Sequence, residues 1–300
     1  MTMTTDTPKH DILKRSDGGA VIMDGNRLRD EIIADIRAAI VKANQPKVCL
    51  ATVLIGNNPA SRIYVRQKRR KATEAGMISH HVELGDNASQ IEAEAAVREL
   101  ATDPNVHGIL VQLPLPQGLD TSRILNPIPP AKDVDGLTPA SLGRLVKGEA
   151  GHLPCTPLGV IRLLERYWIP TTGKRAVIIG RSILVGLPLV ILLGRKGVDA
   201  TPTLAHSRTR QLAELCRSAD IVISAAGVAG LVTSDFLSAG ATVIDVGISR
   251  VSKAIVGDVD FEACRNIAGA ITPMPGGTGP MTIACLLQNT LEAAKKLGVL

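Results

Sequence analysis

Residues 176–186 read Ala-Val-Ile-Ile-Gly-Arg-Ser-Ile-Leu-Val-Gly, which is a short apolar run, a glycine turn and the start of a second apolar segment. Four apolar residues without helical periodicity are typical of a buried strand, and Pro188 suits the first turn of a helix. A strand, a glycine turn and a helix N-terminus form an anion site, because backbone N–H groups and the helix dipole favour phosphate. The stretch therefore predicts a nucleotide-binding domain. Since the full GxGxxG pattern is absent, a turn that only permits tight packing remains an alternative.

Helices and apolar strands alternate on both sides of this stretch. After it, three more strands are predicted, at Thr201–Leu204, Ile221–Ser224 and Thr242–Val246. Before it, the predicted elements are a helix over Leu28–Ile40, a strand over Val48–Ile55, a helix through Tyr64 and Ala72, a strand over His81–Leu84, a helix from Ser89 to Leu100 and a strand over Gly108–Val111. Such alternation is typical of parallel α/β sheets. The fold class is therefore α/β with two domains, the second of them Rossmann-like.

Three further segments set the predicted domain boundaries. Six prolines between Leu113 and Ala140 predict a loop, because proline interrupts helices and central strands. Thr156-Pro157 predicts a helix start with Thr156 as N-cap, and a last helix is expected from Met281 to Leu297. We assign residues 20–150 plus 281–300 to the first domain and 151–280 to the second. Residues 1–19 are predicted to be a disordered extension without a secretory signal.

Composition excludes several classes of protein. A chain of 300 residues with 45% hydrophobic and 21% charged residues has enough apolar sequence for a sizeable core, and the formal net charge is +6. One Trp, two Tyr and two Phe are too few for base-stacking platforms or membrane belts. No partner nucleic acid or membrane is therefore expected. The five cysteines are scattered without a metal or redox spacing, which indicates buried thiols of a cytosolic protein.

The residues after the second strand of the Rossmann-like domain indicate which dinucleotide it binds. NAD-binding domains carry an acidic residue there that binds the ribose hydroxyls. Here residues 205–210 read Ala-His-Ser-Arg-Thr-Arg, without a carboxylate. Hydroxyls and cations suit a 2′-phosphate through charge-assisted hydrogen bonds. NADP is therefore favoured over NAD, although a solvated helix start would also explain the arginines.

Candidate chemical groups come from the first domain. Tyr64 and Lys68 stand at i and i+4 on one helical face, where a lysine of lowered pKa could transfer protons. Gln112 ends a buried strand at the edge where α/β folds place ligands, and Asp135 lies in the Lys-Asp-Val-Asp-Gly stretch at 132–136. Taken alone, each has a structural explanation: cationic runs are often solvated faces, and turns favour Asp and Gly.

Taken together, the motifs resemble one family, the bifunctional methylenetetrahydrofolate dehydrogenase/methenyltetrahydrofolate cyclohydrolase enzymes. The resemblance covers about residues 20 to 297. It rests on motifs at 56–68, 111–116, 132–136, 180–186, 243–248, 257–259 and 272–282.

The resemblance implies roles for individual residues. Lys68 would be the catalytic lysine, tuned by Gln112, with Tyr64 flanking the folate and Asp135 holding its pteridine ring. Pro275, Gly276 and Gly279 would line the folate site together with Val111 and Leu113. The implied NADP-binding residues are Gly180, Arg181, Ser182, Ser207 and Ile248.

The resemblance also implies the reaction and its setting. The first domain would be catalytic and the second would bind NADP, with the folate in a cleft between them. 5,10-Methylenetetrahydrofolate would be oxidised to the methenyl compound, which would then be hydrolysed to 10-formyltetrahydrofolate. A cytoplasmic homodimer in the one-carbon metabolism that serves purine biosynthesis is expected. Neighbouring cations and burial are both expected to lower the pKa of Lys68.

The sequence departs from the family at several positions. Asn26 stands where lysine is usual, Val228-Ala229 replaces Lys-Pro, Ser249 replaces Asn and Thr278 replaces Val. The changes at 228 and 249 bear on NADP affinity and on its preference over NAD. Two alternatives stay open at this point: another two-domain NADP-dependent dehydrogenase, such as a shikimate dehydrogenase, and a noncatalytic nucleotide-binding regulator.

Overall fold

The computed structural model describes residues 15–16, 19–251 and 254–300. In the first part of the chain, strands alternate with helices as predicted. The elements are β1 (Val21–Ile22), α1 (Gly25–Lys42), β2 (Cys49–Ile55), α2 (Pro59–Glu74), β3 (Ile78–Leu84), α3 (Gln90–Thr102) and β4 (Gly108–Val111). β2, β3 and β4 form a parallel sheet in the order β3-β2-β4. All seven residues of β2 are buried, as the central strand of a covered parallel sheet requires.

The middle of the chain is more helical than its prolines predict. It contains α4 (Thr121–Leu125), α5 (Pro139–Lys147) and α6 (Cys155–Arg166). The prediction of an unbroken loop is wrong here, because Asp120 and Thr138 cap two helices and Pro139 lies in the first turn, where no donor is lost. The N-cap prediction for Thr156 is also wrong. α6 begins at Cys155 and its N-cap is Pro154, two residues before the predicted N-cap. The Thr156 hydroxyl instead contacts that of Thr282 at 2.9 Å.

The second part of the chain builds the larger sheet. Its elements are β5 (Arg175–Ile179), α7 (Gly186–Gly194), β6 (Thr201–Ala205), α8 (Leu212–Arg217), β7 (Ile221–Ser224), β8 (Thr242–Asp245), β9 (Ser249–Val251), β10 (Ala254–Val256), α9 (Phe261–Cys264), β11 (Ala270–Ile271) and α10 (Thr278–Lys296). The strand order is β1-β11-β8-β7-β5-β6, with every pair parallel. After β6 the chain crosses back to β7 on the other side of β5, which creates a crevice between the loops that follow β5 and β7. The antiparallel hairpin β9-β10 was not predicted.

The two sheets share a helical layer. α10 packs on both α1 and α6, and its Leu286 and Leu287 lie in one apolar cluster with Leu50 and Leu110 of the smaller sheet. The last helix therefore packs on the smaller sheet, and its Met281 and Ala284 also lie in the apolar cluster of the larger sheet. The boundary at residue 20 differs in one respect: β1 pairs with β11, so the first strand belongs to the larger sheet.

Most of the predicted extension, residues 1–14 and 17–18, lies outside the described residues. The described part near its end is ordered by short contacts, since the Ser16 N–H donates to the Ala20 carbonyl at 2.8 Å and Arg15 pairs with Val21. Within the described ranges, no helix is both long enough and apolar enough to cross a bilayer.

Candidate active site

A cleft of about 590 Å³ lies between the smaller sheet and the loops of the larger one. It brings together all nine residues that the sequence analysis assigned to the folate. They are Tyr64, Lys68, Val111, Gln112, Leu113, Asp135, Pro275, Gly276 and Gly279. They come from α2, the end of β4, the loop before α5 and the segment that leads into α10.

Lys68 is placed by the start of α2 and by the end of β4. The Asn58 side chain caps α2 by accepting from the N–H groups of Ala60 and Ser61, which fixes the face on which Tyr64 and Lys68 follow. Lys68 Nζ donates to Gln112 Oε1 at 3.0 Å. Gln112 in turn donates from Nε2 to the Leu113 carbonyl at 2.6 Å, so its oxygen is held toward the lysine. The predicted contact between Lys68 and Gln112 is therefore present.

The two carboxylates of the 132–136 stretch have different surroundings. Asp133 is buried and accepts from the backbone N–H groups of Gly136, Leu137 and Thr138, so it organises its own loop. Asp135 instead lines the cleft. The carboxylate that is available for a ligand is therefore Asp135, as predicted.

Burial shifts the pKa values of both ionisable groups in this part of the cleft. Desolvation lowers the pKa of Lys68, and the negative charge of Asp135 opposes that shift. Desolvation raises the pKa of Asp135, which the charge of Lys68 opposes. The predicted direction for Lys68 is present, but the predicted contribution of neighbouring cations is not: the nearby charged partner is an acid. Burial thus favours the neutral amine that a proton acceptor needs.

The segment before α10 forms the next wall of the cleft. The Gly276 carbonyl accepts from the N–H groups of Gly25 and Asn26 at 2.8 and 3.2 Å, which ties the start of α1 to this segment. A Cβ on Gly25 would lie 1.8 Å from the Gly277 carbonyl oxygen, so only glycine permits this approach. Asn26 also accepts from Arg29 Nη1 at 2.8 Å. The backbone of Gly276 is therefore held at a fixed place in the cleft.

The glycine turn after β5 has the geometry of an anion site. Gly180 has φ +118°, and a Cβ there would lie 2.3 Å from the Ala225 carbonyl oxygen, so the loops after β5 and β7 are in close contact. In the described part of the chain, none of the backbone N–H groups of residues 181–184 donates to a protein acceptor. Unpaired amides before a helix suit the phosphates of a dinucleotide. The glycine turn therefore fits a phosphate-bearing cofactor.

The other predicted cofactor residues surround this turn. Arg181 and Ser207 are exposed at the ends of β5 and β6. Ser182 Oγ accepts from the Val185 N–H at 3.2 Å, so that hydroxyl also supports the loop. Ile248 follows β8, is 45% exposed and lines the cleft, which joins the cofactor side to the folate side. Residues 206–210, which directly follow β6, include no acidic side chain, which agrees with the preference for NADP.

The cleft contains residues that the sequence analysis did not assign. Cys155 lines the cleft, and its thiol donates to the carbonyl of Val134, the residue before Asp135, at 3.2 Å. In the sequence, only its position directly before the predicted helix start at Thr156-Pro157 could have drawn attention to it. Arg250 lies in the β9-β10 hairpin and Leu184 in the glycine turn. Arg250 could not be found from the sequence because the hairpin itself was not predicted.

Two of the departures from the family pattern make contacts near the cofactor side. Ser249 Oγ donates to the Gly227 carbonyl at 3.2 Å, which connects the hairpin to the loop after β7. The Thr278 hydroxyl is buried and donates to the Asp245 carbonyl at 2.6 Å. Val228 is 51% exposed.

Comparison with known proteins agrees with this geometry. Residues 23–135 match the model of the tetrahydrofolate dehydrogenase/cyclohydrolase catalytic domain. Residues 154–297 match the NAD(P)-binding domain of the same enzymes. Similar relatives include Bifunctional protein FolD 2 of Frankia alni, 49% identical over 92% of this chain and 96% of the relative. Bifunctional protein FolD of Moorella thermoacetica is 48% identical over 92% of this chain and 99% of the relative.

Solved structures show the same arrangement. The bifunctional FolD methylenetetrahydrofolate dehydrogenase/cyclohydrolase of Campylobacter jejuni is 44% identical, with a TM-score of 0.89 over 92% of this chain and 99% of that one. The Trypanosoma brucei dehydrogenase-cyclohydrolase, solved with NADP and an inhibitor, is 38% identical, with a TM-score of 0.88 over 92% of this chain and 98% of that one. With both of its halves matched, this chain belongs to the tetrahydrofolate dehydrogenase/cyclohydrolase family.

Proposed function

We propose that this chain oxidises 5,10-methylenetetrahydrofolate to 5,10-methenyltetrahydrofolate with NADP, and then hydrolyses the methenyl compound to 10-formyltetrahydrofolate. The observation that carries the proposal is the 3.0 Å contact from Lys68 Nζ to Gln112 Oε1 in a cleft that also holds Asp135. Membership of the family supports both activities, as do the bifunctional relatives.

Folate binding uses the side of the cleft formed by the first domain. Tyr64 flanks the ring system, and Asp135 accepts hydrogen bonds from the amino and ring N–H groups of the pteridine. Val111 and Leu113 add apolar contact, while the backbone at Pro275, Gly276 and Gly279 closes the site. The fixed position of Gly276 supports this arrangement.

Lys68 moves the proton in the hydrolytic step. Water adds to the methenyl carbon and loses one proton, which leaves a hydroxyl on that carbon. The hydroxyl then loses its proton as the formyl C=O forms, the bond from the carbon to N5 breaks and N5 takes up one proton, so one proton is released overall. A neutral Lys68 accepts the proton of the attacking water, and Gln112 orients the amine. The lowered pKa of Lys68, caused by burial, supports the neutral form.

The cofactor side holds NADP, which when bound accepts the hydride from the methylene carbon. Gly180, Ser182 and the amides of their turn bind the pyrophosphate, and Arg181 and Ser207 bind the 2′-phosphate. Ile248 packs beside the nicotinamide. The absence of an acid after β6 supports NADP over NAD, and the Trypanosoma brucei relative was solved with NADP.

The cellular setting extends the same proposal. The enzyme acts in the cytoplasm as a homodimer, supplies one-carbon units to purine biosynthesis and binds no nucleic acid. The five cysteines are free and buried, which supports a reducing compartment. A shikimate dehydrogenase is disfavoured because both halves match the folate family, and a noncatalytic regulator is disfavoured because the Lys68 contact is retained.

A spectrophotometric assay tests the proposal. Protein is mixed with 5,10-methylenetetrahydrofolate and either NADP or NAD, and the formation and decay of the methenyl compound are followed. We expect reduction of NADP, followed by decay faster than in buffer. Reduction without accelerated decay would leave a dehydrogenase only, and no reduction with either cofactor would overturn the proposal.

A further inference from the structure

Two buried carboxylates lie beneath the cofactor loops, and the proposed chemistry uses neither of them. Asp258 is 0% exposed and follows the β9-β10 hairpin. Its Oδ2 accepts from Ser224 Oγ at 2.9 Å and from the N–H groups of Ala226 and Gly227 at 2.7 and 3.1 Å. Its Oδ1 accepts from the Val228 N–H at 2.8 Å. One carboxylate thus holds three successive amides of the loop after β7.

Asp245, at the end of β8, connects the next two loops. Its side chain accepts from the N–H groups of Gly247, Asp258 and Val259, each at 3.0 Å. The first of these fixes the loop that carries Ile248, and the second fixes Asp258 itself. Burial raises the pKa of Asp245 to about 6. The three N–H donors oppose that shift, because they favour the ionised carboxylate.

The main chain of Asp245 extends these contacts to the folate side. Its N–H donates to Thr272 Oγ1 at 2.7 Å, and its carbonyl accepts from Thr278 Oγ1 at 2.6 Å. Residues 272 and 278 bracket Pro275 and Gly276, which line the cleft. We call residues 272–278 the folate segment. A continuous set of hydrogen bonds therefore runs from this segment through Asp245 and Asp258 to the loop after β7.

Two glycines make this packing possible. A Cβ on Gly247 would lie 1.9 Å from Asp258 Oδ1, and a Cβ on Gly257 would lie 1.8 Å from Asp245 Oδ2. Each carboxylate therefore packs against a backbone position that no other residue could occupy without displacement. Any side chain at these two positions would displace the carboxylates and the loops that they hold.

We propose that Asp258 and Asp245 are positioning residues for hydride transfer, which hold the loops after β7 and β8 in register with the folate segment. The inference rests on the proposed function, because hydride transfer needs the folate carbon and the cofactor to meet at these loops. A misplacement of about 1 Å can cost about 10²-fold in rate. The hydrolytic step needs no cofactor and uses the side of the cleft that carries Lys68 and Gln112. Loss of the carboxylates should therefore separate the two activities.

The first variant is Asp258→Asn, which replaces one acceptor oxygen by a donor that faces N–H groups. Dehydrogenase kcat/KM for NADP should fall by roughly 10²-fold, while hydrolysis of supplied methenyltetrahydrofolate, assayed without NADP, stays within about threefold of wild type. Calorimetry should show weaker NADP binding, with the affinity for folic acid unchanged. The matched variant is Asp133→Asn, which removes a buried carboxylate that holds three amides of the folate loop. It should lower both activities.

A milder series keeps the test decisive if Asp258→Asn does not fold. Thr272→Val removes only the hydroxyl that accepts from the Asp245 N–H, and should lower the dehydrogenase kcat several-fold while KM for NADP and hydrolysis stay unchanged. Thr272→Ser should restore the rate. Thr290→Val is the control, since the Thr290 hydroxyl is equally buried in α10 but bonds only to the Leu286 carbonyl.

The outcomes are distinguishable. Selective loss of the dehydrogenase in Asp258→Asn or in Thr272→Val supports the positioning role. Parallel loss of both activities in folded protein, or no loss in either variant, overturns it. Absence of both activities in the wild type would instead contradict the proposed function.

Discussion

The cleft has two walls that are built in different ways. The folate wall carries Lys68, Gln112 and Asp135, and the cofactor wall consists of residues 181–184 and the loops after β6, β7 and β8. The folate wall presents ionisable side chains to the ligand, and burial shifts the pKa of Lys68 downward and that of Asp135 upward. The cofactor wall presents backbone amides of residues 181–184, and its ionisable side chains at Arg181 and Arg208 are exposed. Proton chemistry requires shifted ionisation, whereas holding a phosphate requires donors in a fixed geometry. The difference supports the proposal that Lys68 on the folate wall moves the proton in hydrolysis.

The walls resemble each other in one respect. Each has a buried carboxylate that accepts three backbone N–H groups of its own loop: Asp133 beneath Asp135, and Asp258 beneath residues 226–228. In both cases the carboxylate that organises the loop is separate from the groups that face the cleft. Substitutions on one wall should therefore affect one step or one ligand more than the other.

The largest expected effect is that of Lys68→Met on hydrolysis. Removal of a proton acceptor typically costs about 10²–10⁴-fold in rate. Hydrolysis of methenyltetrahydrofolate should fall to that extent, while the affinities for folic acid and NADP, measured by calorimetry, stay close to wild type. If hydrolysis persisted at the wild-type rate, the role of Lys68 would be wrong.

Asp135→Ala should mainly weaken folate binding. Loss of a charged acceptor in a buried site costs about 1.5–3 kcal/mol, which corresponds to roughly 10- to 100-fold in affinity. The dissociation constant for folic acid is the measurement, and the constant for NADP serves as the control because it should not change. An unchanged folate affinity would count against the contact with the pteridine.

On the cofactor wall, Arg181→Ala should raise KM for NADP by about tenfold and leave KM for NAD unchanged, since only NADP carries the 2′-phosphate. Arg195→Ala is a matched control, because it removes an exposed cation at the other end of α7. Equal effects of Arg181→Ala on both cofactors would remove this residue from 2′-phosphate recognition.

The smallest effect concerns pH dependence. The negative charge of Asp135 raises the pKa of Lys68 against the lowering by burial. Asp135→Asn removes that charge, so the pKa of Lys68 should fall further, and the rise of the hydrolytic kcat with pH should move to lower pH. The pH profile of the hydrolytic kcat is measured at saturating methenyltetrahydrofolate. A shift to higher pH would contradict the assigned interaction.

The strands could be predicted because local patterns determine them, whereas the set of folate residues was implied by the resemblance of the motifs to a known family. β4 matches its predicted bounds, and β2 and β5 differ from theirs by one residue, since continuous apolar runs report burial directly. The nine folate residues lie at strand ends, in turns and on one helix face, and they meet because parallel strands end at one edge.

The parts that could not be predicted depend on contacts between distant segments. β1 and β11 have only two residues each and exist through pairing within the larger sheet. The Asp258 and Asp245 contacts join loops that are well separated in sequence. The motifs at 243–248 and 257–259 contain both carboxylates, but the sequence does not show that the two residues meet. The sign of the charge beside Lys68 was also misjudged, because its sequence neighbours are basic whereas its spatial neighbour is Asp135.

In the proposed mechanism, one cleft serves both reactions. Folic acid carries the pteridine and the glutamate but no transferable carbon, so it should compete with both substrates. Its inhibition constant is measured for the dehydrogenase and for the hydrolysis with NADP saturating in both assays. One shared cleft predicts the same constant in the two assays. Constants about tenfold or more apart, equivalent to about 1.4 kcal/mol, would contradict it.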